Sequence, residues 1–203
     1  RHHQGLRLTE AGRQLHEQLT PVLDELRTIL RSAAAPDATL RLHLNVLPLF
    51  AQQRLFPRLP ALRRLHPHLH IDIETLAHGE ARLYEGIDAA IALARAIDPA
   101  LYAVRLDQDQ VFPIAARSLT EGPERITVPE HLQRATILLH REMPETFSEW
   151  KNAIGMPYLE PLAIDYFDSG PLMLEAAAQG VGVAFMHGHH FDDAHDSRLV
   201  RLF

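Results

Sequence analysis

The stretch Asp165–Met186, DYFDSGPLMLEAAAQGVGVAFM, decides the fold. Ile164 to Phe167 reads as a short buried strand. Asp168, Ser169, Gly170 and Pro171 then supply a helix start, with a side chain able to cap and a proline in the first turn. Leu172, Met173, Ala176 and Ala177 recur at helical spacing, Gly180 closes the helix, and Val181–Met186 is apolar enough for a strand of a parallel sheet. A helix that follows a parallel strand aims its unpaired amides at the crevice beyond the strand ends, where a small anion can be held. This segment is therefore the first candidate site.

The α/β pattern continues outward from it. Toward the N-terminus, Leu40–Leu47 alternates apolar residues with Arg41, His43 and Asn45, and Phe50–Leu65 carries Leu55, Leu59, Leu62 and Leu65 on a helical face that ends at His66-Pro67. Leu69–Thr75 alternates again, a short helix is expected through Leu83 and Tyr84, and Ala89–Leu93 is an apolar strand. Strand and helix alternating in this way imply right-handed parallel crossovers. Leu101–Leu106 and Val111–Ala116 read as two strands joined by the polar turn 107–110. Beyond Gly122 a second α/β unit holds a strand at Ile137–His140 and a helix at Phe147–Ile154, with Phe147 and the only tryptophan, Trp150, on its core face.

The N-terminal part has a different character. After Leu6–Gly12, in which Thr9 can cap, Leu15, Leu19, Val22, Leu26 and Ile29 alternate steps of four and three, the seam of a two-stranded coiled coil. Pro21 is expected to bend this helix. Ser32–Ala38 (SAAAPDA) reads as a hinge, because Pro36 disfavours helix at Ala35 and nothing nearby is large enough to pack.

Composition narrows the function classes. A chain of 203 residues with 46% apolar content folds as one large or two small domains. The absence of cysteine removes disulfides, thiolate metal sites and thiol nucleophiles together, and no run reaches membrane-spanning length, so a cytoplasmic protein is expected. A net charge of −6 argues against a strong phosphate-backbone binder, which carries a basic stripe. His187, His189, His190 and His195 crowd with Asp192, Asp193 and Asp196. Neighbours on one helix diverge, however, and metal ligands must converge, so an exposed polar helix is the expectation and no metal or cofactor is assigned.

Several motifs are specific in their order. The opening RxxxGLxLTEAG (Arg1 to Gly12), LRLHLNVLPLFA (Leu40–Ala51), PRLPALRRLHP (Pro57–Pro67), GIDAAIAL (Gly86–Leu93), FPIAARSL (Phe112–Leu119), FDS and LEAAAQGVGVAF resemble LysR-type transcriptional regulators, in the branch of the glycine-cleavage and β-lactamase activators. The resemblance implies two Rossmann-like subdomains of the type II periplasmic-binding-protein kind, preceded by a long linker helix. It divides the chain into a wing remnant (1–12), a linker helix and hinge (13–38), a first subdomain (39–115 with 196–203) and a second (116–195). It further implies DNA binding through a winged helix-turn-helix whose recognition helix this chain does not include, and assembly as a homodimer or homotetramer through the Leu15–Ile29 seam. Arg1, His2 and His3 are left as remnants of a phosphate-touching wing. In relatives a further strand and helix follow the position of Phe203.

The resemblance also places an effector site between the subdomains. Pro48, Leu49 and Phe50 stand opposite Asp168, Ser169 and Gly170, with Arg95, His140, Arg141 and His187 around the crevice. A small carboxylate or amino acid is the expected ligand. Leu49 departs from the serine or threonine usual in relatives and points to a less polar effector or to none. Ser169 is equally an ordinary helix cap, and Arg95 and Arg141 are equally solvated arginines. A free-standing solute- or metal-binding protein of the same fold is the alternative. No phosphate loop, nucleophile elbow or catalytic dyad is present, so an enzyme is not expected.

Overall fold

The computed structural model describes residues 9–33, 40–75, 83, 86–94, 96–108 and 110–203. Arg1, His2, His3 and Arg95, the hinge residues 34–38 and Tyr84 lie outside the described residues. The chain divides into two compact units: α1 and the residues up to Arg41 with His68–His70, and Leu42–Pro67 with Ile71–Phe203.

In the first unit, α1 (Glu10–Ala33) starts where the sequence places a cap, Gly12 N donating to Thr9 Oγ1 at 3.1 Å. The helix is continuous through Pro21. Leu15, Leu19, Val22 and Leu26 are each about half exposed, 45–58%, so the predicted seam forms one accessible apolar stripe. Ile29 lies in the helix, its side chain outside the description.

The second unit holds two sheets, except that Leu40, Arg41, Leu69 and His70, at the starts of two strands, are grouped with the first. The smaller has the order β2-β1-β3, from β1 (Leu40–Val46), β2 (Leu69–Glu74) and β3 (Ala89–Ile91). β1 and β3 are parallel, with Leu44 opposite Ala89 and Val46 opposite Ile91. The expected helix after β1 is present as a composite run: α2 (Pro48–Phe50), a π turn at Ala51–Leu55, a 3-10 turn at Phe56–Arg58 and α3 (Leu59–Leu65). Pro57 and Pro60 have no N–H to give to the carbonyl four residues back, so the ladder widens, Phe56 N bonding Ala51 O, and then tightens, Leu59 N bonding Phe56 O. Leu44, Val46 and Ala51 form the buried centre of this part, with Phe50, Leu55, Ile71, Ile73, Ala89 and Ile91 packed around them.

The larger sheet has the order β6-β5-β7-β4-β8. Its strands are β4 (Val111–Ala116), β5 (Thr136–His140), β6 (Ala163–Phe167), β7 (Val183–His187) and β8 (Leu199–Arg201). β5 is parallel to β6 and β7, as the crossover pattern requires, while β4 is antiparallel to β7 and β8. Alternation along the strands makes two buried faces. Ile137, Leu139, Val183 and Phe185 pack under α4 (Thr146–Ala153), where Phe147 and Trp150 each meet the Phe185 ring edge-on at 5.1 Å. Leu138, Ala184 and Met186 pack under α5 (Gly170–Ala178). That helix ends as read from sequence: Gly180 is left-handed at φ 78°, and Gly180 N and Val181 N bond the carbonyls of Ala177 and Ala176.

Two expectations change. Leu101–Leu106 is not a strand, and Tyr102, Val104 and Leu106 stay exposed. A hairpin along the whole of β4 is barred because β7 pairs one edge at Val111–Ile114 and β8 takes the other at Ile114–Ala116. Ile164–Phe167, read above as a buried strand, lies in the exposed edge strand β6 of the five-stranded sheet, to which residues 111–116 and 199–201 also belong. The His/Asp-rich stretch forms α6 (Gly188–Ala194), ended by His195 in the left-handed conformation at φ 50°. Among the described residues no helix is long and apolar enough to cross a membrane.

Candidate functional site

The parallel strands β5, β6 and β7 end at His140, Phe167 and His187, and their C-terminal ends bring the predicted residues of this half together. His140 pairs with Phe167 across the ladder, and Arg141 N donates to Phe167 O at 2.6 Å, which sets His140 and Arg141 beside the start of α5. Glu142 N donates to His140 Nδ1 at 3.3 Å. His187 precedes α6 in extended backbone, its ring about 6 Å from those of His189 and His190. Asp168 and the Arg141 side chain are exposed.

At the start of α5, Ser169 occupies the cap position in extended backbone (φ −130°, ψ 113°), and its carbonyl accepts the first helical bond, from Met173 N at 3.0 Å. The expected side-chain cap is not made. Its usual targets are the amides two and three residues on, and the first of these belongs to Pro171, which has none. α2 begins the same way: Leu47 holds the cap position without a capping side chain, and Pro48 follows it.

The structure brings α2 and α5 together and fills the space between their starts. Leu49 is only 6% exposed and belongs to the apolar cluster of Ile114, Leu138, Met173, Leu174 and Met186 beneath α5. A Cβ built on Gly170 would lie 2.9 Å from Leu49 Cδ1, so the leucine is seated on the glycine. Phe50, the next residue, turns instead to the cluster of the smaller sheet. The open crevice expected between Pro48–Phe50 and Asp168–Gly170 is therefore occupied by the Leu49 side chain. Shallow cavities among the described residues lie elsewhere: one of about 490 Å³ lined by Gln108, Gln110, Phe112 and Arg201, and one of about 350 Å³ lined by Phe191, Asp192, His195, Leu199 and Arg117 among others.

A polar connection beside this contact was not foreseen. Gln53 Nε2 donates to His190 O at 3.0 Å, and Gln53 Oε1 lies 3.1 Å from His190 Nδ1. Arg54 donates through Nε to Asp193 at 2.5 Å and through Nη1 to Asp107 at 2.6 Å. Hydrogen bonds to Asp193 and then Asp107 raise the Arg54 pKa above its ordinary value, and the Arg54 bond, with a second from Gln108 N, lowers that of Asp107. His189 Nδ1 lies 3.8 Å from Asp107. The available signal was the polar triplet Gln52-Gln53-Arg54 between the apolar residues 48–51 and 55–57. Among the described residues no group of three or more His, Asp or Glu is placed to hold a metal ion.

Two sheets flanked by helices, with helix starts meeting beyond the ends of parallel strands, define an α/β domain of the periplasmic-binding-protein kind. Residues 37–203 match the LysR substrate binding domain, and the chain belongs to the LysR family. It is 27% identical over 184 residues to the glycine cleavage system transcriptional activator of Escherichia coli (strain K12), covering 91% of this chain and 60% of that protein. It is 30% identical to the transcriptional activator AmpR of Rhodobacter capsulatus, covering 90% of this chain and 62% of the relative. The AmpR effector binding domain from Citrobacter freundii superposes with a TM-score of 0.69 at 26% identity, over 81% of each chain. CrgA from Neisseria meningitidis, at 19% identity, shares the fold over the whole of this chain and 70% of its own, with a TM-score of 0.68. The chain thus spans about 60% of the length of the curated relatives it matches.

Proposed function

We propose that this chain is the effector-sensing and oligomerisation region of a bacterial transcriptional regulator whose DNA contacts are made by a winged helix-turn-helix outside these residues. The Escherichia coli and Rhodobacter capsulatus relatives are transcriptional activators, and their role comes to this chain as regulation rather than catalysis. The observation that carries it is the meeting of α2 and α5: residues far apart in sequence, Leu49 and Gly170, touch where the smaller sheet's helix joins the larger sheet. A ligand entering there changes how tightly the two parts are held, and any preference for one arrangement shifts the population toward it. The candidate entry lies between Pro48–Leu49 and Ser169–Gly170, where the Leu49 side chain sits, with His140, Arg141, Asp168 and His187 at its rim. The stripe Leu15, Leu19, Val22 and Leu26 couples two copies through α1, so that the change is read as a change in spacing of two DNA-binding heads.

Thermal-shift screening of small carboxylates, amino acids and neutral apolar compounds tests the reading, because a specific ligand raises the melting temperature by mass action. Compounds that stabilise the wild-type chain lose their effect on Ser169→Trp, which keeps the wild-type circular dichroism. Equal stabilisation of both proteins would place the ligand elsewhere.

A further inference from the structure

The cavity of about 490 Å³ takes its walls from Gln108 and Gln110, in the stretch before β4, from Phe112 of β4 and from Arg201 of β8. None of these residues belongs to the α2–α5 contact. Arg201 Cζ lies 3.8 Å from the centre of the Phe112 ring, a distance at which the flat guanidinium rests on the ring face and its N–H groups point along its own plane, past the ring. Gly188 completes the cradle. A Cβ there would run into Arg201 Nη2 and stand 3.1 Å from Phe112 Cδ2, so the guanidinium takes the space of a side chain. Arg54 and Arg198 each hold two acids, whereas Arg201, among the described residues, has no acid or carbonyl on its guanidinium. Asp107, next to Gln108, is held by Arg54, and Gln108 Oε1 accepts from Arg105 Nη1 at 3.2 Å, so the donor end of that amide remains.

We propose that this cavity is a second ligand position, apart from the α2–α5 contact, and that it takes a small monocarboxylate whose two oxygens meet the Arg201 guanidinium edge while Gln108 donates to one of them. The flat fork of arginine matches the flat carboxylate, and a guanidinium already seated on a ring and against a glycine loses little side-chain freedom on binding. One guanidinium with neutral amides balances a single negative charge. Phosphate, with about 1.5–2 charges near neutral pH, would be left undercompensated. A bound acid joins the stretch before β4 to β8, and it does so whether or not the α2–α5 contact admits an effector.

Sodium acetate is the probe, against sodium chloride at equal ionic strength, with melting temperature and the Arg201 Nε–H signal in an NMR titration as readouts. At about ten times its Kd, acetate raises the wild-type melting temperature by roughly 3–6 °C over chloride and moves the Arg201 signal. Arg201→Met loses the thermal shift. Arg201→Lys, which keeps the charge and not the fork, binds about tenfold more weakly. Gly188→Ala keeps the arginine, displaces it from the ring and weakens acetate as well; if Arg201→Met does not fold, this variant and the wild-type Arg201 signal decide. Ser169→Trp responds to acetate as wild type does, which sets this position apart from the α2–α5 contact. An equal acetate shift in wild type and Arg201→Met, or an Arg201 signal that acetate leaves in place, overturns the proposal. So does a response to phosphate or to acetamide that matches acetate, the first because the carboxylate is not preferred and the second because the charge is not read. An acetate shift lost in Ser169→Trp and kept in Arg201→Met also overturns it, while supporting the sensor reading.

Discussion

Arg54 Nε stands 2.5 Å from Asp193 Oδ2, and through this bond the helical run after β1 is tied to α6 at the end of the larger sheet. Asp107 takes a second donor of the same guanidinium at 2.6 Å, so one arginine spans two acids from different parts of the chain. The Arg54 side chain is one-quarter exposed, which places the pair between a surface ion pair and a buried one. Arg54→Ala is expected to cost about 1–2 kcal/mol, roughly 2–8 °C in melting temperature for a chain of this size. A double-mutant cycle with Asp193→Ala checks it. Additive losses would show that the two groups do not interact.

Glu175, Asp196 and Arg198 form an exposed cluster in which Arg198 donates to both acids. The Arg198 bond, reinforced by Gln179, lowers the Glu175 pKa to about 2, and Arg198 likewise lowers that of Asp196. Both folded-state values lie below the ordinary carboxylate range, so their contribution is present above about pH 4.5 and is lost as pH falls toward 2. The melting temperature of wild type should decline across that interval. Arg198→Met should decline less steeply there, and identical profiles would remove the cluster from the acid response. Added salt weakens the difference, because these groups face solvent.

Gly180 and Gly182 separate two effects of a missing side chain. At Gly180, φ is 78° and the nearest atoms to a built Cβ are 3.9 Å away, so Gly180→Ala meets backbone strain and no clash. A loss of about 1–2 kcal/mol is expected. At Gly182 the same Cβ would lie 2.4 Å from Thr136 O, between β5 and β7. Gly182→Ala must part those strands and should lower the denaturation midpoint more than Gly180→Ala does. The reverse order in urea unfolding would contradict the register given for β5 and β7.

On α1 the apolar stripe predicts association. Leu19→Asp with Leu26→Asp puts two charges into the middle of the seam about two turns apart and should halve the mass found by multi-angle light scattering, with the helical signal of the remaining chain preserved. An unchanged mass would move the oligomer contact away from this helix.

The elements legible in sequence are those whose local pattern is self-sufficient. α5 carries its own start at Gly170-Pro171, its 3.6-residue period and its Gly180 stop, and β4 runs between the boundaries its apolar run gives. Leu101–Leu106 is largely apolar as well, but apolar content names no neighbour, and β7 and β8 take most of the edges of β4. At the site, the absence of a hydroxyl at position 49 was readable. That the leucine would fill the crevice was not, because it depends on Gly170, Met173 and Ile114 arriving from elsewhere in the chain. The Arg54–Asp193 bond joins residues 139 apart and leaves no periodic trace.

Hydrogen–deuterium exchange of the wild-type chain, with and without the compound that most raises its melting temperature, tests the sensing claim most directly. Ligand-dependent changes are expected only at α2 with the π turn after it and at the start of α5, residues 48–55 and 168–174. Changes centred instead on the Gln108–Arg201 cavity, with those turns unaffected, would contradict it.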